Sequence, residues 1–432
     1  MTSTIDRRER TTGETGASET TRTAAGGLRK WLTLALLCFA FFFYMSDRML
    51  FGLLVIPIQK DTGLTDLQIG FIDTVLFWTI ALVAPFAGMA GDRFPRTRII
   101  AAVVLLWGVF TALTGLAGGL LGFVLLRSLG TTAVQSFYGP SSYALIASEH
   151  RRTRTIALAT HQGGMYVGML TSGAIVAALL ARFGSWRSVY FVYGGLTVAV
   201  GLAFAAVFWR RRDGAGASAR KSMKAGMRAF FGNPAALCAG AGFIALVFAS
   251  NAFAAWAPKF VAVKFGLGVG EAGRGVMFGP NLAAMAAVIG GGFLTDMVVG
   301  RWPRFRLALQ VAVLLAGVPL MALFGFTPSL TATWAALILW GIVRGLYQSN
   351  TQASVFDVVP PESRASAIGF LNVLACLIGS LAPLYVGFLS HHWGVRGFEV
   401  GFASLGLGLV VAAGAMAYSA VRLFRKWRVE NE

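Results

Sequence analysis

Residues 31–58 read WLTLALLCFAFFFYMSDRMLFGLLVIPI, an apolar run that is longer than a bilayer crossing requires. A helix spans the hydrocarbon core with about 20 apolar residues. The run nevertheless contains an aspartate and an arginine, Asp47 and Arg48. Ionisable side chains at this depth face protein or a water-filled cavity, where they find partners. Because Tyr44, Asp47 and Arg48 share one face of a helix, we predict that this face points into the protein.

The composition extends this interpretation to the whole chain. Of its 432 residues, 56% are hydrophobic and 13% are charged, and the mean hydropathy is +0.69. Soluble domains carry about 25% charged residues. A membrane β-barrel would show strands of alternating hydrophobicity instead of long apolar runs. We therefore predict an all-α membrane protein with twelve transmembrane helices.

Lysine and arginine are distributed unevenly along the chain. The formal net charge is +19, which in a soluble protein would suggest nucleic acid as a partner. Most of the 37 lysines and arginines, however, fall between the predicted spans on the side of the N terminus. This asymmetry follows the positive-inside rule. We predict no nucleic-acid partner, two cytoplasmic termini and a location in a cytoplasmic membrane of the bacterial inner-membrane type.

The spans fall into two halves that are joined by a polar, basic segment. We predict a disordered cytoplasmic tail (1–28), a first six-helix half (29–209), a basic cytoplasmic linker (210–232), a second six-helix half (233–423) and a cytoplasmic tail (424–432). Residue patterns repeat between the halves. Gly88 and Asp92 follow the second span, and Gly292 and Asp296 follow the eighth. The sequence therefore predicts two six-helix pseudo-repeats.

The segment GMAGDRFPRTR, residues 88–98, resembles the cytoplasmic signature of the major facilitator superfamily. The signature lies between the second and third spans and recurs in weaker form after the eighth. The resemblance implies the major facilitator fold, a monomer, and a site at the midplane between the halves. It also implies a conformational gate, formed by Gly88, Asp92, Arg93, Arg96, Gly292 and Asp296.

A narrower resemblance comes from the Asp-Arg pair and the segment PIQKDTGLTDLQIG, residues 57–70. Both are similar to patterns of the spinster-like and anion:cation symporter branches. Spinster-like proteins usually carry a glutamate in the fourth span, a few residues before a proline. The corresponding residue here, five positions before Pro140, is Gln135. The resemblance therefore implies a transporter, but without this titratable group.

The predicted interior contains more cations than carboxylates. Arg48, Arg127, Lys259 and Arg344 lie in the first, fourth, seventh and tenth spans, with Asp47 as the one deep carboxylate. The resemblance implies that these four spans line the cavity. Because a buried surplus of positive charge requires compensation, we predict an anionic substrate with a carboxylate or phosphate group. The candidate binding residues are Tyr44, Arg48, Gln135, Tyr138, Asn251, Lys259, Arg344 and Gln348.

Proton coupling requires a group whose protonation depends on which side of the membrane is open. We assign this role to Asp47, with Arg127 as its modulator, and predict a proton-coupled symporter. Arg127 has a second interpretation as a structural partner of Asp47, which would favour a facilitator or an exchanger. Lys259 also has a second interpretation, as a side chain that extends to the lipid headgroups. Asp73, near the start of the second span, is interpreted as an interfacial residue.

The sequence offers no other chemistry. We find no catalytic triad, phosphate-binding loop or metal-ligand spacing, and we predict no enzyme, no cofactor and no metal. The three cysteines, Cys38, Cys238 and Cys376, lie within apolar spans. Two alternatives stay open: export of an amphiphilic anion such as a lysolipid, and a sensor that retains the transporter fold.

Overall fold

The computed structural model describes residues 6–150, 153–208, 227–228 and 230–429. It describes side chains from residue 29 onward within these ranges, except those of residues 85, 88, 89, 91–93, 155, 362 and 365. The described residues are helical and contain no β-strand. The predicted all-α class is therefore confirmed. Most of the predicted linker lies outside the described residues, and the predicted tails stay predictions.

Within the described residues, twelve helical segments are long and apolar enough to cross a membrane. In chain order these spans are Arg29–Leu53, Asp66–Ala84, Arg96–Thr114, Leu120–Glu149, Ile156–Phe183, Trp186–Phe208, Pro234–Phe265, Val269–Val299, Phe305–Phe326, Leu330–Phe356, Ser366–Trp393 and Val395–Trp427. The first belongs to a helix that begins at Asp6, and the second to a helix that ends at Arg93. The span count predicted from the sequence is confirmed.

Three spans are interrupted within their length, and the twelfth has a π-helix, Ser419–Leu423, close to its C-terminal end. The fourth consists of helices Leu120–Phe123, Thr132–Gln135 and Tyr138–Glu149 with a π-helix, Val124–Thr131, after the first of them. The tenth divides into Leu330–Gln348 and Thr351–Phe356, and the eleventh into Arg364–Gly379 and Leu381–Trp393. Irregular backbone at membrane depth is tolerated where it is buried in protein or lines a cavity. These interruptions therefore mark the interior of the bundle.

The sequence accounts for several helix boundaries. Thr65 caps the second span, since its hydroxyl accepts from the Gln68 amide while the Gln68 side chain accepts from the Thr65 amide. This reciprocal pair is a capping box. Gly63 and Gly184 end helices in the left-handed conformation, with φ of 70° and 69°, which glycine adopts without the steric cost of a side chain.

The two halves are packed in the same way. The third and sixth spans pack together in the first half, and the ninth and twelfth do so in the second. Between the halves, the second span packs on the eleventh and the fifth on the eighth. The second span corresponds to the eighth and the fifth to the eleventh, so the pseudo-repeat maps each of these two pairs onto the other. The helix packing therefore supports the two-half architecture.

Asp66 joins the halves at the far face, which we define as the membrane side of the loop at Gly63. Its Oδ1 accepts from Lys259 Nζ of the second half and from Gln59 Nε2 of the first. Its Oδ2 accepts from Ser390 Oγ, also of the second half. These contacts link the two halves at the far face. Lys259 is thus paired with a carboxylate and does not reach the headgroups unpaired, so that interpretation is corrected.

We expect Asp66→Asn to open the far face more often, because it removes the charge that holds Lys259. The measurement is the rate at which a membrane-impermeant thiol reagent, added from the far side, labels a cysteine placed at Ser250 in a cysteine-free background. Ser250 lines the central cavity between the halves. We expect faster labelling in Asp66→Asn. Asp61→Asn is the matched control, since Asp61 pairs with Arg187 of its own half at 2.8 Å. Equal labelling rates in both variants would contradict the prediction.

Candidate functional site

A cavity of about 360 Å³ lies between the two halves at the centre of the bundle. Its walls come from the first, second, fourth and fifth spans of one half and from the seventh, eighth and tenth spans of the other. The volume is within the range of about 300–1,000 Å³ that is usual for small-ligand pockets. Four charged residues line it: Arg48, Asp73, Arg127 and Arg344.

Arg344 extends into the cavity from the tenth span. Its Nη2 donates a hydrogen bond of 2.6 Å to Oδ1 of Asn281 on the eighth span. No carboxylate of a described residue lies within 4 Å of its guanidinium nitrogens. A neutral amide orients the guanidinium without neutralising it. Arg344 therefore presents a net positive charge to the cavity.

Arg48 extends into the same cavity from the first span, in the other half. Its Nη1 donates a long hydrogen bond of 3.4 Å to the Tyr44 hydroxyl, and its guanidinium lies 5.3 Å from the ring centre of Phe77. Like Arg344, it has no ion pair with a described carboxylate. Arginine is suited to anion recognition because its planar fork binds a carboxylate or phosphate with two parallel hydrogen bonds.

Arg127 forms an ion pair with Asp73, and not with Asp47. Its Nη1 lies 2.8 Å from Asp73 Oδ1, and the two side chains are 8% and 9% exposed. The guanidinium also lies 4.1 Å from the ring centre of Phe51. The interpretation of Arg127 as the structural partner of Asp47 was wrong. The interpretation of Asp73 as interfacial was wrong too, since a cation on the fourth span draws this carboxylate into the bundle.

Asp47 is enclosed by three neutral donors of the first half. Its Oδ2 accepts from Gln135 Nε2 at 2.7 Å, from Trp107 Nε1 at 3.1 Å and from Thr111 Oγ1 at 3.3 Å. The residue is 8% exposed and lies behind the cavity wall. Its Oδ1 has no hydrogen-bond partner among the described residues. Asp47 is therefore held through one carboxylate oxygen only.

The other predicted binding residues divide into two groups. Asn251 and Gln348 line the cavity. Tyr138 does not, because its hydroxyl donates to the Leu37 carbonyl at 2.6 Å within the first half. Gln135 and Lys259 do not line it either, because Gln135 donates a hydrogen bond to Asp47 and Lys259 donates one to Asp66. None of these three residues lines the cavity, and their contact with a substrate stays a prediction.

The predicted gate is described only in part. The side chains of Asp92 and Arg93 and the surroundings of Gly88 are not among the features that the structure describes. In the second half, a Cβ at Gly292 would meet nothing within 4 Å, whereas one at Gly291 would lie 2.8 Å from Ser349 Oγ of the tenth span. The close helix approach in this segment is therefore at Gly291, and the gate role of Gly292 stays a prediction. Asp296 is exposed, and the role of Arg96 stays a prediction.

Sequence reasoning missed four residues of this site. Asp73 and Asn281 line the cavity, and Trp107 and Thr111 hold Asp47. A signal existed for Asp73, an aspartate seven positions into an apolar span, which by itself indicates an inward face. The third span gives no such signal, because residues 99–114, which include Trp107 and Thr111, contain no charged side chain.

The cavity therefore carries three guanidinium groups and one carboxylate. Asp73 compensates Arg127, so that Arg48 and Arg344 remain on opposite halves. Within the described part of the chain, no three His, Cys, Asp or Glu residues come together as a metal site. The arrangement is suited to holding an anion between the halves.

Comparisons with known proteins agree with this architecture. The chain is 24% identical over 398 residues to an "MFS-type efflux pump" of Mycolicibacterium smegmatis, covering 90% of this chain and 91% of that protein. It is 23% identical over 411 residues to the "Probable sulfoacetate transporter SauU" of Cupriavidus necator, covering 88% and 92%.

A solved structure shares the fold. The crystal structure of a bacterial homolog to the human lysosomal transporter Spinster, in an inward-facing and unoccupied conformation, superposes with a TM-score of 0.82. The identity is 21%, and the match covers 93% of this chain and 99% of that one. The family model described as Major Facilitator Superfamily matches residues 36–383, which is more than half of the chain. This chain belongs to the Major Facilitator Superfamily.

Proposed function

We propose that this transporter moves a small organic anion across the membrane by alternating access. The observation that carries the proposal is the pair Arg48 and Arg344, two guanidinium groups from opposite halves that line one cavity without a carboxylate partner among the described residues. A buried surplus of cation requires compensation. A carboxylate, sulfonate or phosphate between the two arginines supplies it. The similarity to a probable sulfoacetate transporter supports the same substrate class.

The placement of the two arginines also couples binding to conformational change. A ligand shifts a conformational equilibrium only by its difference in affinity for the two states. An anion that contacts Arg48 of one half and Arg344 of the other binds best when the halves hold both groups at the right separation. Occupancy thereby favours the conformation in which the halves close around the ligand.

Asp47 is our candidate for proton coupling. The three donors on its Oδ2 fix the carboxyl group, while Oδ1 remains free among the described residues. Asp47 and Arg48 are adjacent in the chain, so a change in the charge of Asp47 alters the field at the anion site. Arg127, which pairs with Asp73, is our candidate for transmitting this change to the cavity. We propose symport of the anion with a proton.

We expect Asp47→Asn to abolish accumulation of the anion driven by a pH gradient, because asparagine cannot take up and release a proton. It should keep exchange of internal for external anion, since an amide oxygen can still accept from Gln135, Trp107 and Thr111. Both activities are measured in proteoliposomes, with Asp61→Asn as the control for loss of a carboxylate. Full accumulation in Asp47→Asn would refute the coupling role.

The orientation is part of the proposal. The arginines and lysines between the spans lie mostly on the side of the N terminus, which we call the near face. By the positive-inside rule the near face is cytoplasmic, and we place the protein as a monomer in a cytoplasmic membrane of the bacterial inner-membrane type. Protease digestion of a C-terminal tag in inside-out vesicles, with right-side-out vesicles as the control, tests this orientation.

The apolar wall of the cavity favours a second candidate, an amphiphilic anion such as a lysolipid that is exported. Phe243, Phe253 and Trp340 line the cavity on one side, and Met45 and Met165 on the other. Such a surface accommodates an acyl chain below a charged group. Thermal stabilisation of the purified protein by a lysophospholipid, but not by a sugar acid, would favour this candidate over the first.

A further inference from the structure

A second pocket, of about 720 Å³, lies on the near face of the second half. It is formed where the ninth span begins and the twelfth ends, and it shares no lining residue with the central cavity. We call it the near-face pocket; its lining residues are Trp302, Pro303, Arg304, Phe424, Arg425 and Arg428. The proposed transport mechanism uses none of these residues.

Backbone contacts fix the shape of the near-face pocket. The Arg428 amide donates to the Phe424 carbonyl at 2.9 Å, and the Val429 amide donates to the Asp357 carbonyl at 2.8 Å. Phe424 is 3% exposed and forms an apolar floor. The end of the twelfth span is thus anchored to the segment after the tenth. Arg425 and Arg428 therefore belong to a segment whose backbone is hydrogen-bonded to the rest of the protein, and not to a free tail.

The near-face pocket has a strong surplus of positive charge. It is lined by three guanidinium groups and by no carboxylate of a described residue. Arg304, Arg425 and Arg428 have no ion pair with any described residue. The carboxylate of nearby Asp357 is already bound by Arg306 Nη1, at 2.8 and 3.0 Å. Three like charges around one pocket favour a ligand with more than one negative charge.

The aromatic residues indicate where this ligand comes from. Trp302 is 49% exposed at the rim of the near-face pocket, directly before the ninth span. Tryptophan at the end of a span is typical of the depth of the lipid headgroups. Trp427 is likewise the last residue of the twelfth span. The pocket is therefore open to the headgroup layer of the near leaflet.

We propose that the near-face pocket binds the headgroup of an anionic phospholipid with two phosphates, of the cardiolipin type. Basic pockets between transmembrane helices on the cytoplasmic side are suited to such headgroups. Two phosphates match three guanidinium forks better than one phosphate does, and each fork can bind phosphate oxygens bidentately. Trp302 packs at the level of the glycerol backbone, and the acyl chains run along the ninth and twelfth spans.

The test compares two double variants that lose the same charge on the same face. Arg304→Gln with Arg425→Gln removes two lining arginines, whereas Arg301→Gln with Arg422→Gln removes two exposed arginines outside the pocket. Binding of cardiolipin to the purified full chain in detergent is measured by native mass spectrometry. We expect roughly a tenfold or greater loss of affinity in the pocket variant, because it loses two guanidinium groups that bind phosphate oxygens directly. The control should stay within about twofold of wild type, because its arginines make no direct contact and their attraction is screened by salt.

Two outcomes would overturn the proposal. One is an equal loss of cardiolipin in both double variants, which would mean a general attraction to the basic face. The other is binding of soluble pyrophosphate as tight as that of cardiolipin, with the same dependence on Arg304 and Arg425, which would mean a soluble anion site. The melting temperature in lipid-free detergent is measured alongside. If the pocket variant fails to fold, Arg428→Gln against Arg422→Gln replaces the double variants.

Discussion

Replacing Arg344 with glutamine is expected to eliminate measurable binding of the substrate anion. Loss of one partner from a desolvated charge pair costs about 2–5 kcal/mol, which is at least roughly a thirtyfold loss of affinity. Asn281 holds the guanidinium at 2.6 Å, and glutamine is too short to place a donor at the same point. The measurement is the thermal stabilisation of the purified protein by a panel of organic anions. Stabilisation of Arg344→Gln equal to that of wild type would refute the site.

Two further variants separate charge from geometry at this position. Arg344→Lys keeps the positive charge but loses the planar fork, so it should bind the anion more weakly than wild type and more tightly than Arg344→Gln. Asn281→Ala removes the hydrogen bond that orients Arg344, so its loss should be smaller than that of Arg344→Gln. Arg396→Gln is the control, since Arg396 is an exposed arginine that pairs with Glu399 at 3.0 Å outside the cavity.

Arg127→Met is expected to destabilise the protein by about 3–5 kcal/mol, because it leaves Asp73 as a buried carboxylate without its partner. The ion pair is 2.8 Å long and both side chains are less than one-tenth exposed. Removing both charges in Asp73→Leu with Arg127→Met should restore most of the stability, since apolar replacement of a whole buried pair is often neutral. Unfolding of the three proteins in detergent measures the difference.

One outcome of the double-mutant comparison would contradict the predicted coupling between Asp73 and Arg127. If the effects of Asp73→Leu and Arg127→Met simply add, the two side chains do not stabilise each other and the ion pair carries no energy. The Arg187–Asp61 pair at the far face is the matched control. Its side chains are 33% and 47% exposed, and exposed pairs contribute only about 0–1 kcal/mol.

Hydropathy was sufficient to predict the architecture. Each span is a local run of apolar residues, so the number of spans and the two halves depend on no long-range contact. The same holds for the deep location of Arg48 and Arg344, which follows from their positions in the chain. The two residues on which the proposed anion site rests were therefore predicted from the sequence.

The partner of Arg127 could not be predicted in this way, because it depends on how the spans are rotated against each other. The π-helix Val124–Thr131 changes the register of the fourth span. The hydroxyls of Thr131 and Thr132 accordingly donate to carbonyls five residues earlier, those of Leu126 and Arg127. If regular α-helical spacing is assumed through this segment, the side chains after it are placed on the wrong face of the span. They are then assigned to the wrong neighbours.

The three donors around Asp47 also could not be predicted from any single span. Trp107 and Thr111 lie on the third span and Gln135 on the fourth, so their convergence on one carboxylate oxygen is purely tertiary. Each has an ordinary interpretation as a packing residue when it is viewed in its own helix. Only the structure shows that Asp47 accepts hydrogen bonds from neutral donors, whereas Asp73 forms the ion pair with Arg127.

The most direct test of the central claim is transport in proteoliposomes that contain the full chain. Sugar acids, dicarboxylates, organic phosphates and lysophospholipids are offered one at a time, with neutral and cationic analogues as controls. We predict saturable uptake of at least one small organic anion by wild type, no uptake of its neutral analogue, and no uptake of the anion by Arg344→Gln. Transport of neutral or cationic compounds alone, undiminished in Arg344→Gln, would contradict the proposed function.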